Sequence, residues 1–191
     1  MHIVLNTKYK DLNSLYTEFG GENFKIDLGC GFVKPSGFIG LDNLCTVSVQ
    51  IQNEDNAPDI VMDLNAHELP FPDNSCIEVR ASHFLEHSNV MHILEQTHRI
   101  LKPGGIFLFY VPYANSAEGM YPGHSTFFTE KWFYKNIIFQ KLFKIIKEKY
   151  FESEDYQRLL PIVRKIIPFK YARIFLFNAC WQMMMKCEAI K

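Results

Sequence analysis

Residues 106–111, Ile-Phe-Leu-Phe-Tyr-Val, form an unbroken apolar run of strand length. A strand wet on one face alternates apolar with polar residues; a run without alternation belongs to a strand covered on both faces. Such strands sit inside parallel sheets, and parallel sheets need helices to cross between neighbours. A helix of that kind stands just upstream. Val90, Ile93, Leu94, Thr97 and Leu101 recur at helical spacing, with Ser88 or Asn89 able to cap the start. Lys102, Pro103 and Gly104-Gly105 then read as a helix stop.

The rest of the chain repeats this alternation. "FKIDL" (24–28), "FIGLD" (38–42), "DIVMDL" (59–64) and "CIEVRAS" (76–82) are strand-like, and "LPFPDNS" (69–75) has loop chemistry. Downstream, "TEKWFYKNIIF" predicts a helix capped by Thr129, and "FKIIKEKYFE" (143–152) predicts a strand. A helical stretch broken by Pro161 and Pro168 follows, and "CWQMMMKCEAI" reads as a last strand. Around "DLNSLYTEF" the first 20 residues read as a short strand or a helix. The pattern predicts a single α/β domain over 1–191, with a lid or inserted helical segment at 156–179 before the last strand.

Composition excludes several classes. A 48% hydrophobic chain of 191 residues can fill a core. Its net charge of -1 offers no basic surface for nucleic acid, so no nucleic-acid partner is expected. Cys30, Cys45, Cys76, Cys180 and Cys187 are odd in number and contain no CxxC pair, which suits reduced thiols in a cytoplasm. The start of the chain lacks a long apolar region, and the uncharged run Ile174–Met185 is too short to span a bilayer.

In open α/β sheets, ligands bind at the carboxyl ends of the strands. That edge holds Gly29-Cys30-Gly31, Asp42, Asp63 and Ser82-His83. The two glycines let the backbone approach a ligand. The third glycine of a dinucleotide fingerprint is replaced by Lys34, and a phosphate loop's Gly-Lys-Ser/Thr is absent. Asp27 is poorly placed for a pyrophosphate and well placed for an ammonium. Asp42 suits two ribose hydroxyls, and Asp63 an adenine amino group. An ammonium, a free ribose and an adenine without phosphate describe S-adenosylmethionine.

The motifs "DLGCG", "GFIGLDN", "DIVMDL", "LPFPDNS", "ASHFLEH" and "HRILKPGGIFLFYVP" together resemble class I S-adenosylmethionine-dependent methyltransferases, in particular the small bacterial type 11 group, over about residues 24–113. The resemblance implies a Rossmann-like, seven-stranded, mostly parallel sheet with an antiparallel last strand. It implies that Asp27, Gly29, Cys30 and Gly31 hold the methionine part, Asp42 the ribose, and Asp63 with the Leu64 backbone the adenine. Ser82 and His83 would line the sulfonium side. Only Phe32–Gly37 separate "GCG" from "FIGLD", so the first crossover helix must be reduced or absent.

The expected function is methyl transfer to a small-molecule acceptor, without a metal, leaving S-adenosylhomocysteine. O- or N-methylation of a saccharide or lipid precursor fits the group's breadth. On the polar loop 112–128, His124 is the expected catalytic base. The alternatives are a non-catalytic adenosyl-binding protein and a zinc hydrolase built on "HFLEH", in which His83 and His87 would share a helix face. The basic, aromatic segment 156–179 reads as a lid or dimer surface, or as a peripheral membrane contact.

Overall fold

The computed structural model describes residues 3–43 and 57–191. Cys45 lies outside them; Cys30, Cys76, Cys180 and Cys187 are free thiols buried in the interior. Among the described residues, eight strands form one sheet: β1 (Val4–Leu5), β2 (Phe24–Leu28), β3 (Ile39–Asp42), β4 (Ile60–Val61), β5 (Cys76–Ser82), β6 (Leu101–Pro112), β7 (Phe143–Glu152) and β8 (Cys180–Ala189). Their order across the sheet is β1-β4-β3-β2-β5-β6-β8-β7. The five strands β4 to β6 run parallel, and β8 lies antiparallel between β6 and β7.

The expected antiparallel last strand is present, but the sheet has eight strands where seven were expected. The extra one is Val4–Leu5, which pairs antiparallel with Ile60–Val61 and covers an edge that would otherwise present unpaired backbone. Both readings of the first 20 residues hold in part, since α1 (Leu12–Glu18) follows β1. Asp11 and Ser14 close a reciprocal capping box at its start.

The central strands are apolar because both their faces are covered. Ile26, Leu28, Val79, Ala81, Phe107, Phe109 and Val111 are all fully buried. α2 (Val90–Ile100) packs with Val90, Ile93, Leu94, Thr97 and Ile100 inward, and Asn89 caps it. The helix stop passes straight into β6, which begins at Leu101.

Three expectations need correction. "DIVMDL" is strand only over Ile60–Val61, so Asp63 lies in the turn beyond β4, its carboxylate accepting from the Asn65 N–H at 2.9 Å. "TEKWFYKNIIF" is two helices, α3 (Glu130–Lys135) and α4 (Ile137–Leu142). Asn136 separates them because its extended backbone ends one while its side chain caps the other. Thr129 occupies the N-cap position of α3, but its side chain makes no capping hydrogen bond.

Between β2 and β3 the chain makes only turns, as the short crossover requires. Between β7 and β8 stand α5 (Glu154–Gln157), α6 (Pro161–Ile166) and α7 (Phe169–Phe175). Pro161 occupies a first-turn position and Pro168 an N-cap, where a missing N–H costs nothing. This insert has its own small core of Tyr156, Ala172 and Ala179.

Candidate functional site

The carboxyl edge gathers the acidic and glycine residues singled out in the sequence. Asp27 is near the end of β2 and buried, with Arg80 of the neighbouring strand 3.5 Å from its carboxylate. Burial pushes its carboxyl up to about 6; Arg80 opposes that rise and Asp42 adds to it.

Below about pH 4 the Asp27 carboxyl is neutral in both folded and unfolded chains and costs nothing. As pH rises through about 6 the folded chain must bury the charge, and stability falls. Asp27→Asn removes that loss. Urea unfolding at pH 4 and pH 7 should show the variant gaining about 2–3 kcal/mol on the parent chain between the two. Parallel pH profiles would refute the shift.

Gly29 and Gly31 both have left-handed backbone, at φ 65° and 54°. The N–H groups of Gly29 and Cys30 donate to the Leu41 carbonyl at 2.9 and 3.2 Å, tying the turn to the end of β3. Asp42 completes the tie: one carboxylate oxygen accepts from Gly31 N–H at 2.6 Å, the other from Asn43 N–H at 2.7 Å. A carboxylate offers about four lone-pair sites. Among the described residues two of these are used, and the two others are the number a ribose diol needs.

Cys30 is buried against Gly40, where any added Cβ would meet its Sγ at 2.7 Å. Burial raises its thiol far above the ordinary range, so it packs and does not react. Leu64 is fully buried after β4, beside the half-buried Asp63.

Ser82 ends β5 and is followed by His83 at φ 52°, a left-handed conformation rare for a residue with a side chain. Several contacts hold His83, whose side chain stays 37% exposed. Its N–H donates to the Tyr110 carbonyl at 2.9 Å, and Nε2 lies 2.8 Å from Gln182 Oε1. Nδ1 lies 3.4 Å from Glu86, and the ring stacks on Trp181. Glu86 holds the imidazole's pKa above its ordinary value, against the pull of burial and with help from Gln182.

"HFLEH" does not form a zinc-protease helix. His83 is left-handed and only Leu85–His87 make a turn of 3-10 helix, so His83 and His87 do not share a helical face. His124 is far from solitary: its ring meets His87 edge-on at 4.6 Å between centroids.

Sequence reasoning missed Arg80, Phe84, Trp181 and Gln182. Phe84 packs where a Gly29 side chain would stand. Gln182 is 99 residues from the histidine it holds, and nothing local to either signals the pairing. Beyond Trp181 opens a cleft of about 520 Å³, lined among others by Glu118, Glu152, Asp155 and Asn178.

Residues 26–109 match the family model described as "Methyltransferase domain". Among curated proteins, the chain is 29% identical over 136 residues to the uncharacterized protein MJ1252 of Methanocaldococcus jannaschii. That alignment takes 66% of this chain and 48% of the relative, so the chain spans about half the length of the curated protein it matches.

Solved structures share the fold at low identity. One is a SAM-dependent methyltransferase from Archaeoglobus fulgidus (TM-score 0.60, 16% identical, 93% of this chain and 90% of that one). Another is the YcgJ protein of Bacillus subtilis (0.56, 15%, 95% and 99%). A third is geranyl diphosphate methyltransferase in complex with SAM (0.58, 10%, 90% and 79%).

Proposed function

We propose, for a chain whose residues 26–109 match the methyltransferase domain model, the transfer of a methyl group from S-adenosylmethionine to a small-molecule acceptor. The observation that carries this reading is Asp42. It bonds the Gly31 N–H through one oxygen and keeps acceptor capacity at the edge where Asp27 and the glycine turn meet. Asp27 would face the ammonium, Asp42 the ribose, Asp63 and the Leu64 backbone the adenine. Ser82 and His83 would border the sulfonium.

The protein's part in such a reaction is orientation. Sulfur is a good leaving group, and holding the acceptor atom, methyl carbon and sulfur in line supplies up to roughly 7–11 kcal/mol. His83, bonded to Gln182 and stacked on Trp181, and Phe84 beside Gly29 would line one side of that geometry. The acceptor would enter through the cleft beyond Trp181.

Calorimetric titration of the purified chain with S-adenosylhomocysteine tests the reading. Binding at micromolar concentration supports it. A folded chain that binds none would end it.

His124 is the acceptor-side histidine of this proposal. His124→Ala should lower turnover by about 100-fold or more and leave S-adenosylhomocysteine affinity unchanged. Equal turnover with the true acceptor would remove His124 from the mechanism.

The exposed face of the insert favours a second contact. Leu160, Ile162, Ile166, Phe175 and Phe177 are all exposed, beside Lys165 and Lys170. Arg158, Arg164 and Arg173 are engaged with carboxylates of the chain itself, which leaves the lysines to meet anionic headgroups. Among the described residues no helix is long and apolar enough to cross a membrane. Such a contact would be peripheral. Co-sedimentation with vesicles containing anionic lipid should fall when Ile166 and Phe175 are both changed to Ser. Absence of binding at low salt would dispose of the membrane contact and leave the readings of a lid or a dimer surface.

A further inference from the structure

We propose that Glu86, His87 and His124 form a binding site for one divalent transition-metal ion. The Glu86 side chain is fully buried, and among the described residues neither of its carboxylate oxygens accepts a hydrogen bond. Among the described residues its ion-pair partner is His83, with Nδ1 3.4 Å away. A buried carboxylate without hydrogen bonds is strongly unfavourable unless further positive charge compensates it.

Two imidazoles stand beside it. One ligand atom each from Glu86, His87 and His124 lies within 4.8 Å of the other two. Bonds of about 2.0–2.2 Å from a metal to imidazole nitrogen and carboxylate oxygen would require these atoms to close in from that 4.8 Å limit, with the exposed His87 and part-exposed His124 moving toward the buried Glu86.

The surroundings of the two histidines have the form that metal ligation requires. His87 Nδ1 lies 3.3 Å from the Gly123 carbonyl, and His124 Nδ1 lies 3.2 Å from the Gly119 carbonyl. A carbonyl only accepts, so each Nδ1 donates to it, and in the neutral imidazole Nε2 is then the nitrogen with a lone pair. Metal-bound histidines are oriented in this way, by a carbonyl on the nitrogen that does not ligate.

The loop bearing His124 is also clipped to the turn bearing the other two residues. The Glu86 carbonyl accepts from the Ser125 N–H at 2.8 Å, the Thr126 N–H at 3.3 Å and the Ser125 hydroxyl at 3.1 Å.

Two imidazoles and one carboxylate suit zinc, iron(II), cobalt(II) or manganese(II). This arrangement divides the "HFLEH" stretch differently from a zinc protease. His83 belongs to the sheet edge, Glu86 is a ligand and not a base, and the third ligand comes from 37 residues beyond His87. His124 is then a ligand, where the sequence suggested a free base. Three protein ligands leave coordination positions open, and an acceptor hydroxyl bound there would give up its proton more readily. That last consequence rests on the methyl-transfer reading; the metal site does not.

The test uses the full chain, stripped with a chelator and titrated with cobalt(II), with visible absorption as the readout. One cobalt per chain with ligand-field bands, displaced by zinc, is the expected result. Glu86→Gln and His124→Ala should each weaken cobalt binding by more than the roughly 100-fold that losing an outer partner can cost. His92→Ala, on α2, should leave it unchanged. Circular dichroism shows which variants fold, and His124→Ala, in a surface loop, keeps the test decisive if Glu86→Gln does not. No cobalt bound at micromolar concentration by the folded chain overturns the site, as does binding indifferent to these substitutions. S-adenosylhomocysteine titration of the same samples separates the two readings, since it needs no metal.

Discussion

Asp42→Ala should cost the chain at least about 100-fold in affinity for S-adenosylhomocysteine. Each hydrogen bond to a charged group contributes about 1.5–3 kcal/mol, and a ribose diol makes two of them with one carboxylate. About 1.4 kcal/mol is a factor of ten, so even the lower end of that range reaches 100-fold. The variant also loses the acceptor of the Gly31 N–H at 2.6 Å, which loosens the turn meant to hold the methionine end. Asp42→Asn keeps an acceptor and loses the charge, so its affinity should fall between the two. Calorimetry on the three proteins decides the matter. An Asp42→Ala chain that is folded and binds as before would place the ribose elsewhere.

Gly29→Ala should both destabilise the chain and abolish cofactor binding. Two costs act together. The left-handed backbone at φ 65° disfavours any side chain, by about 1–3 kcal/mol. The new methyl would also lie 2.5–2.7 Å from three carbons of Phe84, well inside the roughly 3.5–4.0 Å at which carbon atoms rest. One of those carbons is the Phe84 Cβ, which rotation of the ring alone does not withdraw. Gly31→Ala pays only the backbone cost, because nothing lies within 4 Å of its added Cβ. The expected order of urea midpoints is therefore parent, Gly31→Ala, then Gly29→Ala. Adding Phe84→Ala to Gly29→Ala should recover part of the loss, the part due to the ring. Equal midpoints for the two glycine variants would show that Phe84 yields freely.

The site was legible to different depths. Asp27, Gly29, Gly31 and Asp42 could be named because each stands at or just past a strand end, and strand ends can be read from apolar runs and turn residues. The short crossover was legible too, since so few residues between two strands leave no room for a helix. The boundaries of β4 were not, because Met62 to Leu64 continue an apolar pattern that the sheet does not use. Asn136 was hidden for a similar reason: "TEKWFYKNIIF" has helical spacing throughout, and the break depends on a side chain capping the next helix.

His124 illustrates the deeper limit. Its place on a polar loop after the fifth parallel strand was visible, which suggested a base. Its contact with His87 and its connection to Glu86 through Ser125 and Thr126 were not. The same holds for Glu86, an ordinary acidic residue in a motif until burial removes its hydrogen-bonding partners.

Residue order by itself determined the alternation of strands and helices, the doubly covered centre of the sheet and the acidic, glycine-marked edge. These are properties of short stretches, set by periodicity, by caps and by which residues end a strand. The tertiary structure alone decided which groups from distant stretches meet. β8 had to insert antiparallel between β6 and β7 before Gln182 and Trp181 could hold His83. The loop 112–128 had to fold back before His124 could face His87. Such meetings depend on strand order and loop closure over tens of residues, and no local pattern encodes them.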